Sequence, residues 1–181
     1  MRSLPTILSL ARAFVTPWVV LAVMRGDRAQ ALALCCAAGF TDFLDGFLAR
    51  RFGWTSRVGA WTDAVADKVL LSTLYVAFGI AAWAPWWLVA LVLGRDLLIL
   101  AMAAIGLLFT PIRDFPPSIW GKVSTNVQIA TALVVLLGPG TAGEAAISTF
   151  FGLCATMTAV SGFHYVVAAV QRFRRLPPSA D

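Results

Sequence analysis

Long apolar runs, separated by short breaks rich in polar residues, Gly and Pro, make up most of this chain. Each run is long enough, at roughly 20 residues, for a helix that crosses the hydrocarbon core of a bilayer. The breaks predict helices over Leu4–Met24, Ala29–Arg51, Arg57–Ala82, Pro85–Phe109, Ser118–Leu137 and Ala145–Phe173. The pattern therefore predicts an all-α integral membrane protein with six transmembrane helices.

The composition strengthens the prediction of a membrane protein. Of the 181 residues, 60% are hydrophobic and only 13% are charged, and the mean hydropathy is +0.83. A soluble domain is typically about half apolar and about a quarter charged. We expect one transmembrane domain over residues 1–176 and a disordered tail over residues 177–181. The first run lacks a signal-peptide cleavage pattern and is followed by further spans, and no Arg- and Ser-rich transit segment precedes it. These features favour a multi-pass protein of a bacterial inner membrane.

Basic residues predict which way the helices face. Six spans place both termini, the second loop and the fourth loop on one side of the membrane. That side carries Arg2, Arg50, Arg51, Arg57, Arg113, Arg172, Arg174 and Arg175. The opposite side carries only Arg25 and Arg28. Because short basic loops stay in the cytoplasm, both termini are predicted to be cytoplasmic.

Four aspartates are concentrated in the cytoplasmic halves of the predicted second and third helices. Helical spacing places Asp42 and Asp45 on one face of the second helix, and Asp63 and Asp67 on one face of the third. Carboxylates that converge inside a bilayer need partners, and all-oxygen ligands favour hard ions such as Mg²⁺ or Mn²⁺. The stretch therefore predicts a site for two divalent ions, an arrangement suited to chemistry at phosphorus.

Residues around the aspartates agree with a phosphate ligand. Gly46 and Gly59 allow close approach of a backbone or a ligand, Arg50 ends the same helical face, and Lys68 follows the last aspartate. Two other interpretations stay open: solvated helix caps, and an acidic path in a divalent-cation transporter, because intramembrane carboxylates also mark ion paths. A transporter, however, has no need for the matched glycines and Arg50.

Written as a pattern, the stretch is Asp42-x2-Asp45-Gly46-x2-Ala49-Arg50-x8-Gly59-x3-Asp63-x3-Asp67. It resembles, position for position, the signature of the CDP-alcohol phosphatidyltransferase family, and the resemblance extends to the chain length and the six helices. The resemblance implies that a CDP-linked lipid, CDP-diacylglycerol, donates its phosphatidyl group to an alcohol and that CMP leaves. It also implies a homodimer formed through transmembrane helices.

The same resemblance implies roles for the residues of the stretch. Asp42, Asp45 and Asp63 would ligate metal, and Asp67 would ligate metal and act as the catalytic base. A base is needed because the acceptor hydroxyl is a poor nucleophile until its proton is taken. The CDP pocket would be lined by Asp42, Gly46, Ala49, Arg50 and Gly59.

The choice of acceptor depends on residues outside the stretch. Arg95, deep in the fourth predicted helix, needs an anionic partner, which is either the phosphate of the acceptor or an aspartate such as Asp96. Lys122, at the membrane face of the fifth helix, would bind either the acceptor or lipid headgroups. His164 fits an interfacial hydrogen-bonding residue rather than a catalytic one.

Two subfamilies resemble the chain in these segments. CMP-forming cardiolipin synthases share a Gly-Arg-Asp in the fourth helix, a Lys-x2-Thr-x2-Gln spacing in the fifth, and the character of Ser161–Tyr165 in the last. Phosphatidylglycerophosphate synthases usually carry a second Arg-Glu in the fourth helix, where this chain has no second charge. A doubly charged glycerol phosphate would need more basic side chains than Arg95 and Lys122. We therefore expect phosphatidylglycerol as the acceptor and cardiolipin as the product, with glycerol 3-phosphate as the alternative and serine or inositol phosphate after it.

Overall fold

The computed structural model describes the backbone of residues 4–52, 57–109 and 119–173, and the side chains of residues 14–41, 68–102, 119–168 and 170–171. Seven α-helices and no strand occur in these ranges. They are α1 (Leu4–Met24), α2 (Arg28–Phe52), α3 (Arg57–Ile80), α4 (Trp86–Phe109), α5 (Ile119–Leu137), α6 (Pro139–Ala142) and α7 (Glu144–Phe173). The prediction of an all-α chain is confirmed over the described residues.

The six predicted helices correspond to α1 to α5 and α7, with ends that differ by a few residues at most. The short α6 was not predicted. It follows Gly138, whose φ of 74° lies in the left-handed region that favours glycine. It begins at Pro139, a residue type favoured in the first turn of a helix.

Two segments among the described residues, Ile119–Leu137 and Glu144–Ala168, are long and apolar enough to cross a membrane. The number of spans and the orientation of the termini stay predictions. The predicted tail over residues 177–181 lies outside the described residues and also stays a prediction.

The chain divides into two compact units, residues 1–85 with 132–144 and residues 86–131 with 145–181. In the first unit α1 packs against both α2 and α3. Among the described side chains of α1, the buried ones are small or β-branched, namely Val19, Ala22 and Val23. Small side chains at such positions let helix backbones approach closely, which is the usual way that helices associate inside a bilayer.

A tight turn joins α1 to α2. Gly26 has a φ of 76°, and the backbone N–H groups of Gly26 and Asp27 donate to the carbonyls of Val23 and Ala22 at 3.0 Å each. These bonds form a Schellman motif, in which a residue in the left-handed region ends the helix. Asp27 then caps α2, because its Oδ1 accepts a hydrogen bond from the backbone N–H of Gln30 at 2.9 Å.

The end of α3 has the same motif with alanine in the place of glycine. Ala82 has a φ of 56°; its N–H donates to the Gly79 carbonyl at 3.2 Å, and the N–H of Trp83 donates to the Phe78 carbonyl at 2.8 Å. α3 therefore ends at Ile80 rather than at Ala82 as predicted, because residue 82 turns into the left-handed region.

Arg28 connects three turns of the first unit. Its Cζ lies 3.9 Å from the centre of the Trp83 ring, and its Nη1 donates a hydrogen bond to the carbonyl of Val135 in the last turns of α5. Gly138 makes room for this side chain, since a Cβ at that position would lie 2.9 Å from the Arg28 Cδ. The turn after α1, the turn after α3 and the end of α5 are therefore held together by one guanidinium.

In the second unit α5 and α7 meet along buried polar side chains. Gln128 Nε2 donates to Thr158 Oγ1 at 3.1 Å, and Thr131 Oγ1 lies 3.3 Å from the carbonyl oxygen of Phe150. Gln128, Thr131 and Thr158 are all buried. Hydrogen bonds between helices are an established source of association within membranes, where small polar residues are enriched at such contacts.

Candidate active site

The predicted metal-binding and CDP-binding residues lie on two helices of the first unit. α2 carries Asp42, Asp45, Gly46, Ala49 and Arg50, and α3 carries Gly59, Asp63 and Asp67. Their side chains lie outside the described residues, so their predicted convergence stays a prediction. Among the side chains that the structure does describe, no group of three or more His, Cys, Asp or Glu is placed to hold a metal ion.

Arg95 is a buried charge in α4 of the second unit, with only 6% of its surface exposed. Its Nη1 donates to Asp96 Oδ1 at 2.6 Å. Burying a charge without a partner costs several kcal/mol, so this ion pair explains how an arginine is tolerated in an apolar helix. Of the two partners considered for Arg95, the structure shows Asp96 in contact, and the binding of an acceptor stays a prediction.

The other edge of the Arg95 guanidinium faces α7 and α5. Nε and Nη2 both donate to Ser161 Oγ, at 3.3 Å and 2.9 Å, and Nη2 also donates to the carbonyl oxygen of Gly121 at 3.3 Å. A serine oxygen has two lone pairs, so it can accept both bonds. One side chain of α4 is thereby fixed by two neighbouring helices.

Gly121 allows Arg95 and Tyr165 to pack against the backbone of α5. A Cβ at residue 121 would lie 3.0 Å from the Tyr165 hydroxyl oxygen and 3.3 Å from Arg95 Nη2. The Arg95 Cζ lies 6.0 Å from the centre of the Tyr165 ring, at the outer limit of a cation–π contact. We call Arg95, Asp96, Gly121, Ser161 and Tyr165 the arginine cluster.

Three further polar residues of this unit have different surroundings. Lys122, predicted to contact the acceptor or headgroups, is exposed, as is His164. Ser124, one turn after Gly121, is fully buried, and its hydroxyl makes no hydrogen bond within the described part of the chain. Lys122 and His164 can therefore reach a soluble ligand or a lipid headgroup, whereas the buried Ser124 cannot.

The contact of Ser161 with Arg95 was not predicted from the sequence, although the segment Ser161–Tyr165 was noted for its resemblance. A signal does exist in the spacing. Thr158, Ser161 and Tyr165 recur at three and four residues on α7, which places them on one helical face. That face is the one that meets Arg95 and Gln128.

Comparison with known proteins identifies the family. The family model described as CDP-alcohol phosphatidyltransferase matches residues 2–169, a range that includes both the aspartate stretch and the arginine cluster. The chain therefore belongs to the CDP-alcohol phosphatidyltransferase family. It is a transferase of phospholipid biosynthesis and not the divalent-cation transporter considered as an alternative. Its family uses divalent metal ions.

Relatives whose names describe different reactions are similar to this chain. A probable phosphatidylglycerophosphate synthase of Mycobacterium tuberculosis is 32% identical over 93% of this chain and 82% of its own length. The CDP-diacylglycerol–glycerol-3-phosphate 3-phosphatidyltransferase of Escherichia coli is 35% identical over 92% of this chain and 94% of its own length. A probable CMP-forming cardiolipin synthase of Drosophila melanogaster is 27% identical over 95% of this chain and 59% of its own length.

Proposed function

We propose that this enzyme is a cardiolipin synthase, which transfers the phosphatidyl group of CDP-diacylglycerol to a hydroxyl of phosphatidylglycerol. The observation that carries this choice is the Arg95–Asp96 ion pair at 2.6 Å. Asp96 already balances the charge of Arg95, so the cluster offers little net positive charge to a dianionic phosphate monoester. A phosphodiester has a single negative charge and needs less compensation.

The bond changes follow from the family reaction. The acceptor oxygen forms a bond to the phosphatidyl phosphorus, the bond from that phosphorus to the oxygen of CMP breaks, and the acceptor proton passes to Asp67. A carboxylate suits this work because a positioned base removes a proton from an otherwise weak nucleophile. The residues proposed to line the CDP pocket with Asp42 are Gly46, Ala49, Arg50 and Gly59.

Carboxylate oxygens are ligands that suit divalent ions such as Mg²⁺ or Mn²⁺. The proposed metal site has four of these groups, on Asp42, Asp45, Asp63 and Asp67. Two such ions, when bound, supply charge neutralisation and polarisation at the diphosphate. The four aspartates keep their ions only while deprotonated, and Arg50 adds a positive charge for the diphosphate from the same helical face.

Arg95 and Lys122 are the proposed contacts for the acceptor headgroup. Arg95 is rigidly placed by its contacts with Asp96 and Ser161, whereas Lys122 is exposed and can move to meet a phosphate. A fixed guanidinium gives orientation, and a flexible ammonium adds a point charge.

The proposed setting is the inner membrane of a bacterium. Six spans, cytoplasmic termini and an active site that faces the cytoplasm follow from the apolar runs and the distribution of arginines. The two apolar segments in α5 and α7, each long enough to cross a membrane, support the membrane setting. A homodimer formed through transmembrane helices is part of the same proposal.

A second candidate is phosphatidylglycerophosphate synthase, with glycerol 3-phosphate as the acceptor. The names of the relatives from Mycobacterium tuberculosis and Escherichia coli support this candidate. The absence of a second basic residue near Arg95 along α4 argues against it, because recognition of a phosphate monoester usually involves several basic groups.

Purified protein with CDP-diacylglycerol and Mg²⁺ or Mn²⁺ distinguishes the two candidates. Phosphatidylglycerol and glycerol 3-phosphate are offered in separate reactions, and released CMP is measured. We expect CMP with phosphatidylglycerol and little above background with glycerol 3-phosphate. CMP released only with glycerol 3-phosphate would establish the second candidate instead.

A further inference from the structure

We infer that Ser161 is a positioning residue that sets acceptor selectivity, by closing the edge of Arg95 that would otherwise bind a phosphate monoester through two hydrogen bonds. The inference rests on the proposed function, because it takes Arg95 as an acceptor contact. It assigns a role to a side chain of α7, the helix that contributes none of the aspartates.

The hydrogen bonds of the Arg95 guanidinium within the protein leave few of its N–H groups for a ligand. An arginine has one N–H on Nε and two on each of Nη1 and Nη2. The Nε–H and one N–H of Nη2 donate to Ser161 Oγ. The other N–H of Nη2 donates to the Gly121 carbonyl oxygen, and one N–H of Nη1 donates to Asp96. Beyond these contacts with described residues, a single N–H on Nη1 is left for a ligand.

The edge that Ser161 occupies is the one that matters for phosphate monoesters. Nε and Nη2 point in parallel, and two parallel N–H groups match two oxygens of a phosphate or carboxylate. Ser161 is fully buried, so water does not compete with Arg95 for its oxygen. A ligand therefore meets Arg95 through one bond, which is sufficient for the singly charged phosphodiester of a lipid headgroup.

Removal of the Ser161 hydroxyl should reverse this preference. In Ser161→Ala, Nε and one N–H of Nη2 lose their acceptor, and a buried donor without an acceptor is costly. The guanidinium, no longer held by Ser161, can then turn so that two parallel N–H groups face a phosphate monoester. We expect the ratio of kcat/KM for glycerol 3-phosphate to that for phosphatidylglycerol to rise about tenfold, chiefly through a lower KM for glycerol 3-phosphate.

The chain offers matched controls of the same chemical change. Ser148→Ala removes an exposed hydroxyl of α7 that bonds only within its own helix, to the Ala145 carbonyl. Ser124→Ala removes a buried hydroxyl of α5 that has no described partner. Neither should move the acceptor ratio. Ser161→Thr keeps the hydroxyl and should restore the ratio of the unmodified enzyme.

The test measures kcat and KM for each acceptor in the full-length enzyme, the three alanine variants and Ser161→Thr. Ser161→Cys, in which sulfur is a weak acceptor of similar size, replaces Ser161→Ala if the alanine variant does not fold. A raised ratio in the alanine or cysteine variant, with recovery in threonine, supports the inference. An equal fall in kcat for both acceptors, or an unchanged ratio, overturns it.

The acceptor used by the unmodified enzyme distinguishes a failure of this inference from a failure of the proposed function. If it uses phosphatidylglycerol and the Ser161 variants keep the same ratio, Ser161 has only a structural role and the proposed function stands. If it uses glycerol 3-phosphate alone or neither acceptor, the proposed function is wrong and the inference falls with it.

Discussion

The guanidinium of Arg28 stacks on Trp83, with the Arg28 Cζ 3.9 Å from the ring centre, and joins the start of α2 to the turn that follows α3. The same side chain donates to the Val135 carbonyl near the end of α5, where the helix dipole favours a positive charge. Partial burial lowers the pKa of Arg28 from its ordinary value, but the pKa of an arginine is so high that the group stays protonated. The contact is thus a permanent charged connection between three turns.

Arg28→Ala should destabilise the protein by about 2 kcal/mol, because it removes a cation–π contact and a charged hydrogen bond. Thermal unfolding in detergent, followed by circular dichroism, measures the effect as a fall in Tm. Arg25→Ala is the control, since Arg25 is an exposed arginine of the same turn and surface changes usually have small effects. Equal falls in the two variants would contradict the role of Arg28.

Ala82→Gly should stabilise the protein by about 1 kcal/mol. Alanine at a φ of 56° carries a penalty of roughly 1–2 kcal/mol that glycine avoids, and the greater freedom of glycine in the unfolded chain offsets part of the gain. Ala81→Gly, at the preceding residue, lacks this relief and should not raise the Tm. A lower Tm for Ala82→Gly than for the unmodified protein would show that the left-handed conformation is not strained.

Gly121→Ala should impair catalysis with phosphatidylglycerol by about tenfold, because the new Cβ would lie 3.0 Å from the Tyr165 hydroxyl oxygen and 3.3 Å from Arg95 Nη2. The displaced guanidinium would lose its fixed position. Gly152→Ala in α7 is the matched control, since a Cβ there meets nothing within 4 Å. Initial rates of CMP release test both variants, and equal rates would separate Gly121 from the acceptor site.

Asp67→Asn should abolish CMP release and leave the protein folded, because an amide cannot take a proton from the acceptor hydroxyl. Size-exclusion elution and Tm provide the check on folding. Turnover near that of the unmodified enzyme would remove Asp67 from the role of base.

Chelation should abolish the activity of the unmodified enzyme, and added Mg²⁺ or Mn²⁺ should restore it, since the proposed ions would supply the positive charge that offsets the diphosphate. The rate of CMP release before and after EDTA treatment measures this dependence. Activity that persists after thorough chelation would be incompatible with a site for divalent ions.

The sequence was sufficient to predict the six long helices but not the short α6, because long apolar runs and their Gly and Pro breaks act locally. It did not predict the early end of α3, since alanine rarely adopts the left-handed conformation seen at residue 82. The roles of Arg28 and Ser161 were also missed. Both depend on which faces of distant helices meet, as the bonds from Arg28 to Val135 and from Arg95 to Ser161 show.

The candidate site was predictable to a different degree in its two parts. Spacing alone places Asp42, Asp45, Asp63 and Asp67 on two helical faces, and the fixed pattern matches a family that the comparison then confirmed. The acceptor residues carry no such fixed pattern in this chain. Arg95 was singled out because a charge in an apolar helix is costly, but its partners became known only from the packing of α4, α5 and α7.

The most direct test of the central claim is the identity of the lipid product. Purified enzyme receives CDP-diacylglycerol, a divalent ion, and phosphatidylglycerol and glycerol 3-phosphate together at equal concentration, and mass spectrometry identifies the new lipid. We expect cardiolipin to be the main product and to form in step with CMP. Phosphatidylglycerophosphate as the main product would contradict the account of the acceptor.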